Sequence, residues 1–199
     1  MKTVSTLASL ASVLLVAQAH AFDPGTVSAA YSVVIAGASS PSGALRDILI
    51  RDVCDAGQPI DLLIHGGVTR HFNIACQVGG LNVLFRKNES GSAAGVIGVD
   101  SKTPQPFLNA GFAGCTASAA KTLGGKAYTE RSNCGTTAAA LVSLTPDFGL
   151  SDVEPAALKG PLAPTGSSFL NVSPLTVQPI ASLALGFVAT TDLYRALQA

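Results

Sequence analysis

The sequence predicts an α/β fold, a mostly parallel sheet with flanking helices, and three observations carry that expectation. Residues 31–36 (YSVVIA) and 81–85 (LNVLF) are nearly continuous apolar runs rich in β-branched residues, the pattern of strands buried on both faces. The first run passes through a turn of small residues into a segment with helical spacing. Further short apolar runs then alternate with polar, turn-rich segments along the chain.

Taken in order, strand 31–36 is followed by Gly37, Ala38, Ser39 and Ser40, which turn the chain. Ser40 suits an N-cap and Pro41 the first helical position, where a missing N–H costs nothing. Leu45, Ile48, Leu49 and Val53 then recur at helical spacing, with Arg46, Asp47, Arg51 and Asp52 on other faces. Residues 61–64 and 72–75 read as short strands on either side of Gly66 and Gly67, and 81–85 as another. The polar stretch 88–95 (NESGSAAG) opens a short helix. Residues 101–137, rich in Gly, Ala, Ser and Thr, show no period and read as irregular structure carrying two cysteines. Residues 148–150 form a strand, 154–158 a helical turn, and 177–189 an apolar strand region. Thr190, Thr191 and Asp192 cap a last helix containing Leu193 and Leu197.

Length and charge exclude several classes. A chain of 199 residues can bury roughly 70% of its unfolded surface. At 48% hydrophobic residues, with 12 basic against 12 acidic side chains, it is neither disordered nor a nucleic-acid binder, which needs surplus Lys and Arg. Lys2, the apolar run 7–16 and the small-x-small triplet Ala19, His20, Ala21 make an export signal, so residues 1–21 are expected to be removed and the mature chain to start at Phe22. The run is too short to span a bilayer, and no later run is long enough, so no membrane insertion is expected after cleavage. The mature protein is expected to be periplasmic or secreted.

Cys54, Cys76, Cys115 and Cys134 fit that compartment. Four cysteines allow three pairings, among which sequence does not choose. The expectation carried forward is Cys54 with Cys76 and Cys115 with Cys134, each closing a loop worth about 3 kcal/mol. The alternative is four reduced, buried thiols.

Chemistry is expected at strand ends, where helix N-termini point unpaired N–H groups outward. Three polar turns fit that place: Ser39 with Ser40, the stretch from Asn88 through Ser90 to Ser92, and Ser151 with Asp152. Their side chains could bind a small polar or anionic solute, with Arg86 adding a forked donor. Ordinary helix capping is the plainer account of each turn taken alone. No enzyme signature competes. Gly91-Ser92-Ala93-Ala94-Gly95 puts its serine in the wrong slot for a nucleophile elbow, and phosphate-loop and dinucleotide patterns are missing. His65 and His71, six apart, match no zinc spacing. No metal, no cofactor and no catalytic residue is therefore expected. A secreted hydrolase would need Ser or Cys beside one of these histidines. Asn88-Glu89-Ser90 and Asn171-Val172-Ser173 match the glycosylation sequon.

The same turns carry a family resemblance. Strand 31–36 running into Gly37-Ala38-Ser39-Ser40-Pro41 resembles the opening of type II periplasmic solute-binding proteins, phosphate-type members above all. Residues 83–95 (VLFRKNESGSAAG) look like that group's second binding segment, and 146–155 (PDFGLSDVEP) its later strand ending in Ser-Asp. Residues 177–189 are similar to the strand leading toward the second lobe, and 191–197 to the helix opening it. The resemblance implies one lobe over 22–199, with the second largely missing: a truncated frame or a single-lobe derivative. It implies capture of a small polar or anionic ligand for an ABC-type membrane transporter, through Ser39, Ser40, Arg86, Ser90, Ser92, Ser151 and Asp152. The serines would donate, Arg86 would counter an anion, and Asp152 would orient Arg86 or accept from a protonated ligand oxygen. The chain departs from the phosphate binders in having Ser39 and Ser40 where a Thr-Phe-like pair is usual. An exported structural or interaction protein without a ligand is the alternative.

Overall fold

A computed structural model describes residues 20–66, 71–109, 111–135, 138–159 and 171–179. The run 7–16 of the expected leader and the expected helix over 191–197 lie outside the described residues. So do residues 180–189 of the last expected strand, and 177–179 form no strand.

Strands β1 (Tyr31–Gly37), β2 (Asp61–Ile64), β3 (Phe72–Val78) and β4 (Leu81–Lys87) fall where the apolar runs place them. Helix α1 (Ser42–Ile48) continues as a π-helical turn through Val53, and α2 (Ser92–Asp100) follows the polar stretch after β4. β5 (Gln105–Leu108), β6 (Thr116–Ala117), β7 (Lys121–Leu123) and β8 (Lys126–Ser132) fill the segment expected to be irregular. β9 (Leu141–Leu144), β10 (Phe148–Leu150) and the 3₁₀ turn Pro155–Leu158 complete the described elements.

The fold is α/β, but the sheet is mixed rather than mostly parallel. Eight strands run in the order β10-β1-β4-β3-β2-β8-β6, with β7 also along β8, and β5 and β9 form a separate antiparallel ribbon. β1 is parallel to β4 and β10, and β2 to β8, while β3 is antiparallel to both its neighbours. The reason is connection length. Only Gly79 and Gly80 join β3 to β4, and a parallel pair needs a crossover of a dozen residues or more. The Asp55 carboxylate accepts both glycine N–H groups, at 3.0 and 2.8 Å, which holds that carboxyl below its usual pKa.

Each sheet face has its own apolar layer. Leu62, Ile74, Val83 and Phe85 pack on one side with Leu49 and Ile50 of the α1 segment. On the other, Leu63, Ala75 and Leu84 meet Leu108, and Val34 and Ala36 meet Phe107 of the β5–β9 ribbon. Disulfides join Cys54 to Cys76 and Cys115 to Cys134, the expected pairing, across separations of 22 and 19 residues. The first pins the end of α1's π turn to β3. The second ties the loop before β6 to the end of β8.

Within 101–137, β6 and β7 are two and three residues long with no buried position, and the inward positions of β8 and the first of β5 are polar. On β8, Thr129 and Arg131 point into the protein. Arg131 Nε donates to the fully buried carboxylate of Asp61 at 2.6 Å, and its guanidinium lies 3.8 Å from the centroid of the Phe112 ring. Gln105 on β5 is likewise buried. An ion pair and amides stand where apolar residues would have shown a period of two.

Candidate functional site

β1, β2, β4, β8 and β10 all point the same way, so their carboxyl ends open onto one rim. α2 is seated against two of those ends by glycines. A Cβ at Gly95 would lie 2.7 Å from the Leu150 carbonyl oxygen and 2.8 Å from Gly37 Cα, and one at Gly149 would meet the Gly95 carbonyl oxygen at 2.5 Å. Helix backbone therefore rests on strand backbone, which brings Ser92 beside the turns after β1 and β10.

The three polar turns converge there. Ser40 Oγ donates to Asp152 Oδ2 at 3.0 Å, and Ser92 Oγ donates to Asp152 Oδ1. These hydroxyls hold the Asp152 carboxyl below its usual range, Ser92 contributing most. Neither serine caps a helix: Pro41 occupies the N-cap of α1 and Gly91 that of α2, both without a side-chain bond. The capping role expected for Ser40 is thus replaced by a tie across the rim. Ser151 closes its own turn, its Oγ donating to the Val153 carbonyl at 2.6 Å. Ser39 is exposed and passes its carbonyl to the Ser42 N–H at 3.0 Å.

Ser90 and Arg86 go elsewhere. Ser90 Oγ lies 3.0 Å from Asn88 Oδ1 and 2.9 Å from Gln105 Oε1, within a buried amide network. Asn88 donates to Gln105 and accepts from the Gly37 N–H, and Gln105 donates to the Ala94 carbonyl, joining β1, β4, β5 and α2. Fully buried, Asn88 is closed to glycosylation in the folded protein. Arg86 sits one residue below the end of β4 on the ribbon side. Its guanidinium donates to the Leu108 carbonyl at 2.6 Å and to Ser32 Oγ at 3.2 Å, so it is not brought to the rim or to Asp152.

Three basic side chains outside the expected binding set stand at the rim: Lys87, not considered from sequence, and His65 and His71, weighed there only as metal ligands or as partners of a nucleophile. Lys87 is 1% exposed, its Nζ donating to the carbonyls of Gly37, Ala38 and Asn88, and burial lowers its pKa to about 8. Its signal was present: Val83, Phe85 and Lys87 alternate onto one face, so a charge follows two core residues. His65 and His71 extend the β2–β3 register, in which Ile64 faces Phe72. The His65 N–H donates to the His71 carbonyl at 2.9 Å, and the rings meet edge-on at 5.8 Å. A spacing of six means nothing on a helix, yet it closes a hairpin.

Two clefts open at the rim. The larger, about 670 Å³, is lined by Ser40, Gly95, Phe148, Ser151, Asp152 and Leu175. The second, about 560 Å³, is lined by Ser39, Arg46, His65, His71, Glu89 and Asn133 among others. His71 is 2% exposed, and among the described residues neither of its ring nitrogens has a hydrogen-bond partner. Burial, then the nearby charges of His65 and Lys87, lower its pKa to about 4, so the imidazole is neutral and offers one donor and one acceptor. All four cysteines are in disulfides, and among the described residues no hydroxyl is bonded to His71. Among the described residues no cluster of three His, Cys, Asp or Glu side chains could hold a metal ion, and no helix is long and apolar enough to cross a membrane. No protein-family model, curated protein or solved structure matches this chain.

Proposed function

We propose that this protein is an exported, non-enzymatic binding lobe that captures a small polar solute at its carboxyl-end rim and hands it to a membrane uptake complex. The unpartnered imidazole of His71, buried against the second cleft, carries the reading. A buried polar group without a partner costs about 1–3 kcal/mol, which a hydrogen-bonding solute would recover. The two disulfides agree with a destination outside the cytoplasm. Convergence of the turns on Asp152 agrees with the implied cleft, although Arg86 faces away from it.

The ligand class follows from what lines the second cleft. Arg46 is already paired with Asp47 at 2.8 Å, and Glu89 brings a negative charge. A neutral or zwitterionic solute suits that mixture better than a phosphate-like anion. Thermal melts of the oxidised protein with millimolar phosphate, sulfate, polyols, sugars and amino acids test this. A neutral or zwitterionic compound should raise Tm as RT ln(1 + [L]/Kd), and His71→Phe should abolish the rise. No shift with any compound would favour the second reading, a ligand-free structural protein. One observation supports that reading: Asp152 already satisfies the hydroxyls of Ser40 and Ser92.

A further inference from the structure

Asp61 opens β2 with a carboxylate that is wholly buried. Oδ1 receives Arg131 Nε at 2.6 Å, and Oδ2 receives the backbone N–H of Ala21 at 2.7 Å. Arg131 reaches in turn to His20 Nδ1 at 2.9 Å, and the His20 ring stands edge-on to Phe112, the ring over which Arg131 lies. Ala21 and Phe22 pack against the layer of Leu63, Ala75, Leu84, Leu108 and Cys134. Just beyond, the Asp23 carboxylate accepts the N–H groups of Gly25 and Phe112. Residues 20–23 therefore pack onto the fold, His20 at its surface and Ala21 to Asp23 half-buried, and two of them complete the buried ion pair.

A mature chain starting at Phe22 would lack both. Asp61 Oδ2 would lose its donor and Arg131 an acceptor, inside a layer where each is costly to leave open. The triplet Ala17, Gln18, Ala19 has the same small-x-small form as Ala19, His20, Ala21. We infer that the leader is cut between Ala19 and His20, so that the mature protein begins at His20 and keeps the two residues that close the Asp61–Arg131 pair. The step is a hydrolysis: water adds across the Ala19–His20 amide, the released peptide takes the new carboxylate, and His20 takes the new α-amino group. The inference rests on the export reading and adds the processing point to it.

The test is the N-terminus of the full gene product, exported by a bacterium under its own leader and read by intact mass and terminal peptide mapping. A chain beginning at His20 supports the inference. One beginning at Phe22 overturns it while leaving export intact, and a chain still beginning at Met1 overturns both. Independently, oxidised proteins released from a fusion to begin at His20 or at Phe22 should differ in Tm by about 4 °C or more, the shorter one lower. The gap should shrink in an Asp61→Asn background. Equal melting of the two unsubstituted proteins would refute a role for residues 20 and 21 in closing the Asp61–Arg131 pair.

Discussion

The two cystines hold regions of opposite make-up. Around Cys54–Cys76 the packing is aliphatic and aromatic: Leu49, Ile50, Leu62, Ile74 and Phe85. Around Cys115–Cys134 the apolar layer of Leu63, Ala75, Leu84 and Leu108 also holds an ion pair, Asp61 bound to Arg131, with Phe112 and His20 beside it. One region is held by burial that needs no particular angle. The other depends on a few directed contacts, each expensive to leave half made. The difference teaches that equal covalent staples can close unequal interiors.

The largest expected effect breaks the directed region. Arg131→Leu strands a buried carboxylate and should cost about 4 kcal/mol by urea unfolding. Asp61→Asn with Arg131→Leu should recover more than half of that, because a neutral amide still accepts the Ala21 N–H. Ile74→Ala, its counterpart on the apolar side, should cost about 3 kcal/mol with no such rescue available. A loss under about 1 kcal/mol for Arg131→Leu would erase the contrast between the regions.

Next come the staples. Loops of 22 and 19 residues predict nearly equal losses, about 3 kcal/mol each, when either cystine is replaced by a serine pair. Hydrogen exchange should tell the regions apart: β3 amides stay protected without Cys54–Cys76, whereas β8 amides open first without Cys115–Cys134.

A smaller effect lies in pH. His71 has a folded pKa of about 4 against an ordinary 6.5, with His65 and Lys87 facing it. Its neutral form contributes stability that is fully present above about 6.5 and is lost as pH falls toward 4. Acidification across that window should destabilise the protein by at most about 3 kcal/mol, at 1.36 kcal/mol per unit, and His71→Phe should flatten the curve there. Lys87 works at the other end. Its folded pKa of about 8 lies below the ordinary 10.5, so the cost of burying its charge is relieved as pH rises between those values. The smallest expected effect is Asp55→Ala, about 1 kcal/mol, from loss of the Gly79 and Gly80 hydrogen bonds.

What the sequence made legible follows the same division. β1 to β4 were readable as short apolar runs, α1 because Leu45, Ile48, Leu49 and Val53 recur at helical spacing, and the start of α2 from the polar stretch 88–95. β8 was not, since Thr129 and Arg131 occupy inward positions that pattern reading assigns to apolar residues, and β6 and β7 are too short and exposed to show a pattern. The antiparallel course of β3 was readable in principle from a two-residue Gly79-Gly80 connection. At the rim, the meeting of Ser40, Ser92 and Asp152 follows from where parallel strands end. Arg86 lies away from the rim because strand alternation sends it to the ribbon face and Lys87 to the other.

The glycine seat under α2 has a mechanical consequence. With Gly95 resting on Gly37 and Gly149 main chain, no side chain lies between them to compress or change rotamer. The Ser92 bend cannot slide past its two neighbours by small side-chain adjustments, as packed helices usually do. That flank of the mouth is a stiff jaw, its shape set in advance by main chain alone.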